Sequence, residues 1–277
     1  MHRKISISND IHLLKMGIGI LVIYFFTISY TFAQEVKENR HKCTVCLTYD
    51  DGLDIDLDNV IPVLDSLGLK ATFYVPVNSE SLNKRMNEWR AIAKNGHELG
   101  NHTSFHPCAG KSMKRDWVSS DYDLDTYSMQ RMVDEIKLAN SFLKSIDGKT
   151  KRTFAYTCGD QKIGNEDIWD KIKDEFVAAR GVNGEMPTLD EIKFNNIGSY
   201  MMADKSGEEM IELVKLAMKN NSLIVFLFHG VGGGHNINVS LKEHSKLLHF
   251  LKEHENDIWV APFIDVVEYA KADQIKK

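Results

Sequence analysis

The 277-residue chain is 43% hydrophobic and 26% charged, with a formal net charge of −5. That composition suits a globular chain with ample core. The lack of a basic excess argues against a nucleic-acid partner.

Arg3, Lys4 and Lys15 precede an apolar run over residues 16–33, and Thr31-Phe32-Ala33 puts small residues at the two positions a signal peptidase reads. Residues 1–33 are therefore predicted to be a secretory signal peptide. Polar Thr27, Ser29 and Thr31 weaken the far end of the run as a membrane span. The alternative is an uncleaved anchor, because the run is nearly long enough to cross a bilayer. Cleavage implies a secreted or periplasmic chain with no membrane partner, and delivers Cys43, Cys46, Cys108 and Cys158 to an oxidising compartment. Residues 34–42 read as a polar leader, and 43–272 as a single domain.

Residues 42–49 are predicted to form a buried strand, with Val45 and Leu47 on one face and Cys46 and Thr48 on the other. Cys43 and Cys46 then face opposite ways and lack a second pair, which argues against a redox or zinc use; Cys46 reads as core. The strand ends in Asp50-Asp51-Gly52. Neighbouring side chains on a strand point to opposite sides, so the two carboxylates cannot do the same job. One can face a bound metal while the other faces a water or substrate. Side by side they need cations, donors or solvent. Taken alone, the motif is equally an ordinary turn.

A helix over 59–67 with Gly68 as its stop, a strand over 70–77 and a helix over 82–95 follow. Trp89, Ile92 and Ala93 form the apolar face of that second helix. A short strand over 97–100 leads into Asn101-His102-Thr103-Ser104-Phe105-His106-Pro107. A helical turn here stacks both imidazoles on one face, where they can reach one ion. Residues 109–125 read as a polar surface loop containing Trp117. A long amphipathic helix over 127–143, a strand over 153–156, a helix over 168–176 and a strand over 176–179 ending at Arg180 come next. Then follow a strand over 195–201, a helix over 208–219 and an uninterrupted apolar strand over 223–228 ending at His229. Gly232 to Gly234 lacks the Lys and Ser/Thr of a phosphate loop. A helix over 241–251, a strand over 258–261 and a helix over 264–269 complete the chain.

Strand and helix alternate about seven times, and strands apolar on both faces indicate a parallel sheet. Asp50, Asp51, the His pair, Cys158, Arg180 and His229 all sit at C-terminal strand ends. That is the layout of a distorted (β/α) barrel of about seven parallel strands, an α/β single domain with its site in the βα loops.

These motifs carry a family resemblance over roughly residues 43–270. Thr48-Tyr49-Asp50-Asp51-Gly52 resembles the first motif of the polysaccharide deacetylases, carbohydrate esterase family 4, whose fold is a distorted (β/α) barrel. The resemblance implies Asp50 as catalytic base and Asp51 as metal ligand. His102-Thr103-Ser104-Phe105-His106-Pro107 resembles the second motif, which implies His102 and His106 as the remaining ligands. Val225-Phe226-Leu227-Phe228-His229 resembles the last, which implies His229 as general acid and Leu227 as a wall of the acetyl pocket. Two departures stand out. Ala155 occupies the third-motif position usually held by an Arg that orients the base, and Cys158 stands where an aromatic residue is common. The fourth motif is missing. Arg180, closing the next strand, is the candidate replacement cation.

The resemblance implies a hydrolase that removes acetyl groups from N- or O-acetylated oligo- or polysaccharide. The expected cofactor is a divalent metal, Zn2+ first, with Co2+, Ni2+ or Fe2+ as alternatives. The Cys158 backbone N–H is implied to help hold the oxyanion. Cys108 and Cys158 flank the site as either a disulfide or two free thiols. His97, His235, His244, His249 and His254 receive no catalytic role, although His235, in a glycine-rich loop near His229, is placed to touch substrate. The rival readings are a catalytically silent glycan binder, an acetylxylan-type esterase and a hydrolase of a non-sugar amide.

Overall fold

Eight strands form one parallel sheet in the computed structural model, which describes residues 41–276. The predicted signal peptide and nearly all of the leader lie outside the described residues. The strands are β1 (Cys43–Asp50), β2 (Thr72–Val75), β3 (Glu98–Asn101), β4 (Phe154–Ala155), β5 (Ala179–Arg180), β6 (Tyr200–Met201), β7 (Leu223–Phe228) and β8 (Ile258–Val260). Seven follow one another in the order β5-β4-β3-β2-β1-β7-β6. The other strand, β8, pairs with Cys43–Val45 of β1, while β2 pairs with the later residues Thr48–Asp50.

The sheet curls because one stretch bonds to both of its outer edges. Ile197 bridges to Arg180, and Tyr200–Met201 pairs with Phe226–Leu227 of β7. Backbone bonds from Gly181 N–H to Ile197 O and from Met202 N–H to Leu227 O, each 2.8 Å, complete the seam. This is the distorted (β/α) barrel expected from the sequence.

Both faces of β1 are buried. Val45, Leu47 and Tyr49 pack with Phe73, Trp89, Phe226, Phe228 and Leu248 in the layer between sheet and helices. Cys46 packs with Tyr74, Ala155, Val225 and Phe263 on the other face, inside the barrel. Thr48 and Asp50 share that inward face by the strand's period of two. Cys43 and Cys46 are free and buried.

The helices are α1 (Ile61–Leu67), α2 (Glu80–Lys84), α3 (Met86–Lys94), α4 (Met129–Asp147), α5 (Trp169–Ile172), α6 (Gly207–Asn220), α7 (Leu241–Glu253) and α8 (Phe263–Lys276). Ser128, Ser206 and Ser240 cap α4, α6 and α7 by accepting backbone N–H bonds from the first turn. The single helix expected over 82–95 is instead two. Arg85 leaves helical conformation at φ −121°, and its guanidinium reaches Asp58 and Glu88 at 2.6 Å each. The helix expected over 168–176 is one turn, α5, whereas α8 runs past its expected end at 269 to Lys276.

A buried carboxylate joins four elements on one side of the barrel. Glu98 of β3 accepts from Thr72 Oγ1 of β2 (2.7 Å), from Thr153 Oγ1 next to β4 (2.5 Å) and from Ile264 N–H in the first turn of α8 (2.9 Å). An acidic group at a helix N-terminus also complements the helix dipole.

Candidate active site

Asp50 ends β1 on its inward face and is 3% exposed. Its Oδ2 accepts a hydrogen bond from Arg180 Nη2, whose guanidinium is completely buried and lies 5.1 Å from the centre of the Tyr74 ring. Burial pushes the Asp50 carboxyl up. The charge of Arg180, the charges of His102 and His229 and the Arg180 hydrogen bond outweigh it and hold the group below the usual carboxylate range. Asp50 Oδ1 is buried without a partner among the described residues. Arg180 and Ala155 are register partners on neighbouring parallel strands, so both project to the same side of the sheet.

Asp51 turns away from its neighbour. It sits at φ 78° and Gly52 at φ 57°, two left-handed residues in succession. A Cβ on Gly52 would lie 2.6 Å from Val75 Cγ1, which excludes a larger residue. The turn brings Asp51 Oδ1 to 3.3 Å from His106 Nε2 and 3.8 Å from His102 Nε2.

The segment 102–106 brings its two His together without taking a helical turn. Thr103 and His106 are left-handed, at φ 66° and 53°. Side chains replace the helical ladder: Thr103 N–H donates to Asn101 Oδ1 (2.8 Å), and His106 N–H donates to Thr103 Oγ1 (2.9 Å). The loop is pinned to α4, where Asn101 Nδ2 donates to Ile136 O (2.9 Å) and Ser104 Oγ to Glu135 O (2.8 Å). The imidazoles still meet, with ring centres 4.7 Å apart.

The donor set suits a divalent ion. His102 Nδ1 lies 2.9 Å from Ala155 O, a carbonyl that can only accept, so the ring's proton is on Nδ1 and the Nε2 lone pair is free. Burial pushes the His102 imidazole down to about 4, which keeps it neutral near pH 7. The ligand atoms of Asp51, His102 and His106 lie within 4.8 Å of one another. Around a tetrahedral ion with bonds of about 2.0–2.1 Å, ligand atoms stand about 3.3 Å apart. These three residues therefore fit a metal with small adjustments. His106, Cys108 and Cys158 also cluster, but both sulfurs are engaged in a disulfide.

That disulfide joins the loop after His106 to the loop after β4, with Cα atoms 5.7 Å apart. Arg115 doubles the tie: its guanidinium bonds Asp160 Oδ2 at 2.5 Å and Cys158 O at 3.2 Å. Cys158 itself is left-handed, at φ 53°. Asp51, Thr103, His106 and Cys158 are thus four of the seven non-glycine residues with positive φ among those described. Backbone held in sparsely populated regions concentrates at functional sites. Beside this loop Phe105 stacks on Tyr122 with ring centres 5.6 Å apart, and Trp117 is 70% exposed.

His229 follows β7. Burial lowers its imidazole pKa against the pull of Asp50 and Asp51, with His235 and Arg180 adding to the lowering. Its Nδ1 is buried and unpartnered among the described residues. Leu227 is 1% exposed and pairs with Thr48 across β1 and β7, on the inward face that Asp50 shares. Sequence reading passed over Asn101, Thr103, Arg115 and Asp160. The first two carried a signal, since Asn and Thr beside a His pair are the residue types that replace backbone bonds in tight loops.

Comparison with known proteins bears on the family and the fold. The family model described as polysaccharide deacetylase matches residues 37–174. A Bacillus gellan lyase is 26% identical over 250 residues, covering 81% of this chain. A peptidoglycan-N-acetylglucosamine deacetylase of Bacillus cereus is 38% identical over 72 residues, or 26% of this chain. The chain spans only 9% of the first relative and 26% of the second. The crystal structure of a Mycobacterium smegmatis protein described as a polysaccharide deacetylase superposes with a TM-score of 0.60 at 14% identity, covering 85% of this chain and 92% of that one. The fold, the motif order and the family match together place the chain in the polysaccharide deacetylase family.

Proposed function

We propose that this chain is a metal-dependent hydrolase that removes acetyl groups from N- or O-acetylated carbohydrate, acting outside the cytoplasm after loss of its signal peptide. The observation that carries the reading is the division of the adjacent carboxylates. Asp50 is turned inward onto Arg180, and Asp51 is turned toward two imidazoles.

Asp51, His102 and His106 would hold the ion, which when bound supplies a Lewis acid for the acetyl carbonyl and acidifies water. Two imidazoles and a carboxylate favour zinc; cobalt, nickel and iron are the alternatives. Arg180 keeps Asp50 ionised and fixes its Oδ2, which leaves Oδ1 to accept a proton from the attacking water. His229 delivers a proton to the departing amine or alcohol. Leu227 offers an apolar wall to the acetyl methyl group, and the backbone N–H of Cys158 is the candidate donor to the oxyanion. Export of the chain would maintain the Cys108–Cys158 bond.

The test is acetate release from chitooligosaccharides, peptidoglycan fragments and acetylated xylan. Release from at least one is expected, and the best substrate names the activity. Stoichiometric metal binding with no release from any of them would overturn carbohydrate deacetylation in favour of a glycan binder or a non-sugar amide.

A further inference from the structure

The two oxygens of Asp51 face different partners. Oδ1 faces His102 and His106, whereas Oδ2 faces His235 Nε2 at 3.9 Å. His235 rides on a loop held by Gly230 N–H to Ile237 O (2.9 Å), Gly232 N–H to Val239 O (2.8 Å) and Gly233 N–H to Asn238 Oδ1 (2.9 Å). Gly232, Gly233 and Gly234 all have positive φ, at 74°, 127° and 80°. The path is open only to glycine at Gly234, where a Cβ would meet Ile55 Cγ1 at 2.6 Å.

The loop also fixes which nitrogen carries the proton. Ile237 N–H donates to His235 Nδ1 at 2.9 Å, so Nδ1 is an acceptor and the proton of the neutral ring is on Nε2. A ring in that state has no Nε2 lone pair to give to an ion. It presents a donor toward Asp51, and His235 is absent from the group of residues whose atoms converge for a metal. Its other face stacks on His229, with ring centres 4.8 Å apart and planes 18° from parallel.

We propose that His235 is a positioning residue for the metal carboxylate: its Nε2–H binds Asp51 Oδ2, directly after a small closure or through one water, and so aims Oδ1 at the ion. Carboxylates that bind metals are commonly held by such an outer hydrogen bond, and a polar gap longer than about 3.5 Å leaves room for a bridging water once it opens slightly. Through its stack on His229 the same ring also fixes the orientation of an imidazole whose Nδ1 has no side-chain partner. His235 therefore links the metal carboxylate to the general acid, in a chain that lacks the family's fourth motif.

This inference rests on the metal-site reading above, and the experiment separates the two. Metal-stripped protein is titrated with Zn2+ by calorimetry, for wild type, Asp51→Ala, His235→Ala and His235→Gln. Thermal melting of each metal-free variant shows whether it folds. Asp51→Ala is expected to abolish tight binding. His235→Ala is expected to weaken it 10–100-fold, the usual effect of losing an outer-shell partner. His235→Gln is expected to recover most of the loss, because its amide nitrogen reaches nearly the Nε2 position. Binding abolished by Asp51→Ala but unchanged in His235→Ala overturns the His235 proposal alone, as does a Gln variant no better than Ala. A wild type that binds no zinc overturns the metal site and this proposal together.

Discussion

Arg180 donates to the buried Oδ2 of Asp50 from a position in register with Ala155. Arg180 stands one strand along the barrel from Ala155, and both side chains project to the same side of the sheet. Arg180→Ala leaves a buried carboxylate unpaired, a change worth about 3–5 kcal/mol when a buried pair is broken. Turnover should fall about 100-fold or more, the order seen when one preorganised electrostatic contact is removed. Zinc should still bind, since Arg180 touches no ligand of the ion. Adding Ala155→Arg to Arg180→Ala should restore part of the turnover. Initial rates with metal content measured alongside check both points. Unchanged turnover in Arg180→Ala would refute the role.

The Cys108–Cys158 bond closes a loop between residues 50 apart in sequence, two residues past His106. The chain-entropy model gives such a crosslink about 4 kcal/mol. The paired Cys→Ser variant should therefore melt well below wild type, by denaturant midpoint and Tm. It should also bind metal less tightly, because His106 loses the tie that fixes its loop. Arg115 and Asp160 hold the same two loops, so the variant should remain folded.

His244 is buried, with its Nε2 2.8 Å from the Tyr49 hydroxyl, and burial alone pushes its pKa down to about 3. The unfolded chain takes up this proton near pH 6.5 and the folded chain only near pH 3. Stability is therefore full above pH 6.5 and declines as the pH falls between those values, by up to about 1.4 kcal/mol per unit. His244→Gln should show a shallower decline than wild type over that window in urea melts. Parallel declines would exclude His244 as a source of acid sensitivity.

Glu98 accepts three hydrogen bonds from three different elements. Glu98→Ala removes the acceptor used by two hydroxyls and a helix N-terminal N–H in the core, at about 1–3 kcal/mol for each group left unsatisfied. A loss of at least about 3 kcal/mol is expected in denaturant melts, and Glu98→Gln should lose less because its amide oxygen still accepts.

How much of this was legible in the sequence depends on whether a feature is local. β1 and β7 were readable within a residue because short segments rich in apolar and β-branched residues, each ending beside a glycine turn, suit a strand buried on both faces. The opposed facing of Asp50 and Asp51 followed from strand alternation, although the left-handed turn at Asp51 was not foreseen. The His102–His106 spacing let both imidazoles reach one ion if the segment took a helical turn; they meet without one, because Asn101 and Thr103 side chains replace backbone bonds, which periodicity does not report. β4, β5 and β6 are two residues each, too short to give a pattern. Which residue of β5 faces Asp50 depends on register across the sheet, and only the folded structure supplies it.

If the adjacent carboxylates Asp50 and Asp51 do separate jobs, one paired measurement separates them. Zinc stoichiometry and acetate release are measured for Asp50→Asn and Asp51→Asn against wild type. Asp50→Asn should bind one equivalent of zinc and lose at least about 100-fold in turnover, the scale of a missing general base. Asp51→Asn should lose the metal and the activity together. An Asp50→Asn protein that turns over normally, or an Asp51→Asn protein that keeps its zinc, would contradict that division.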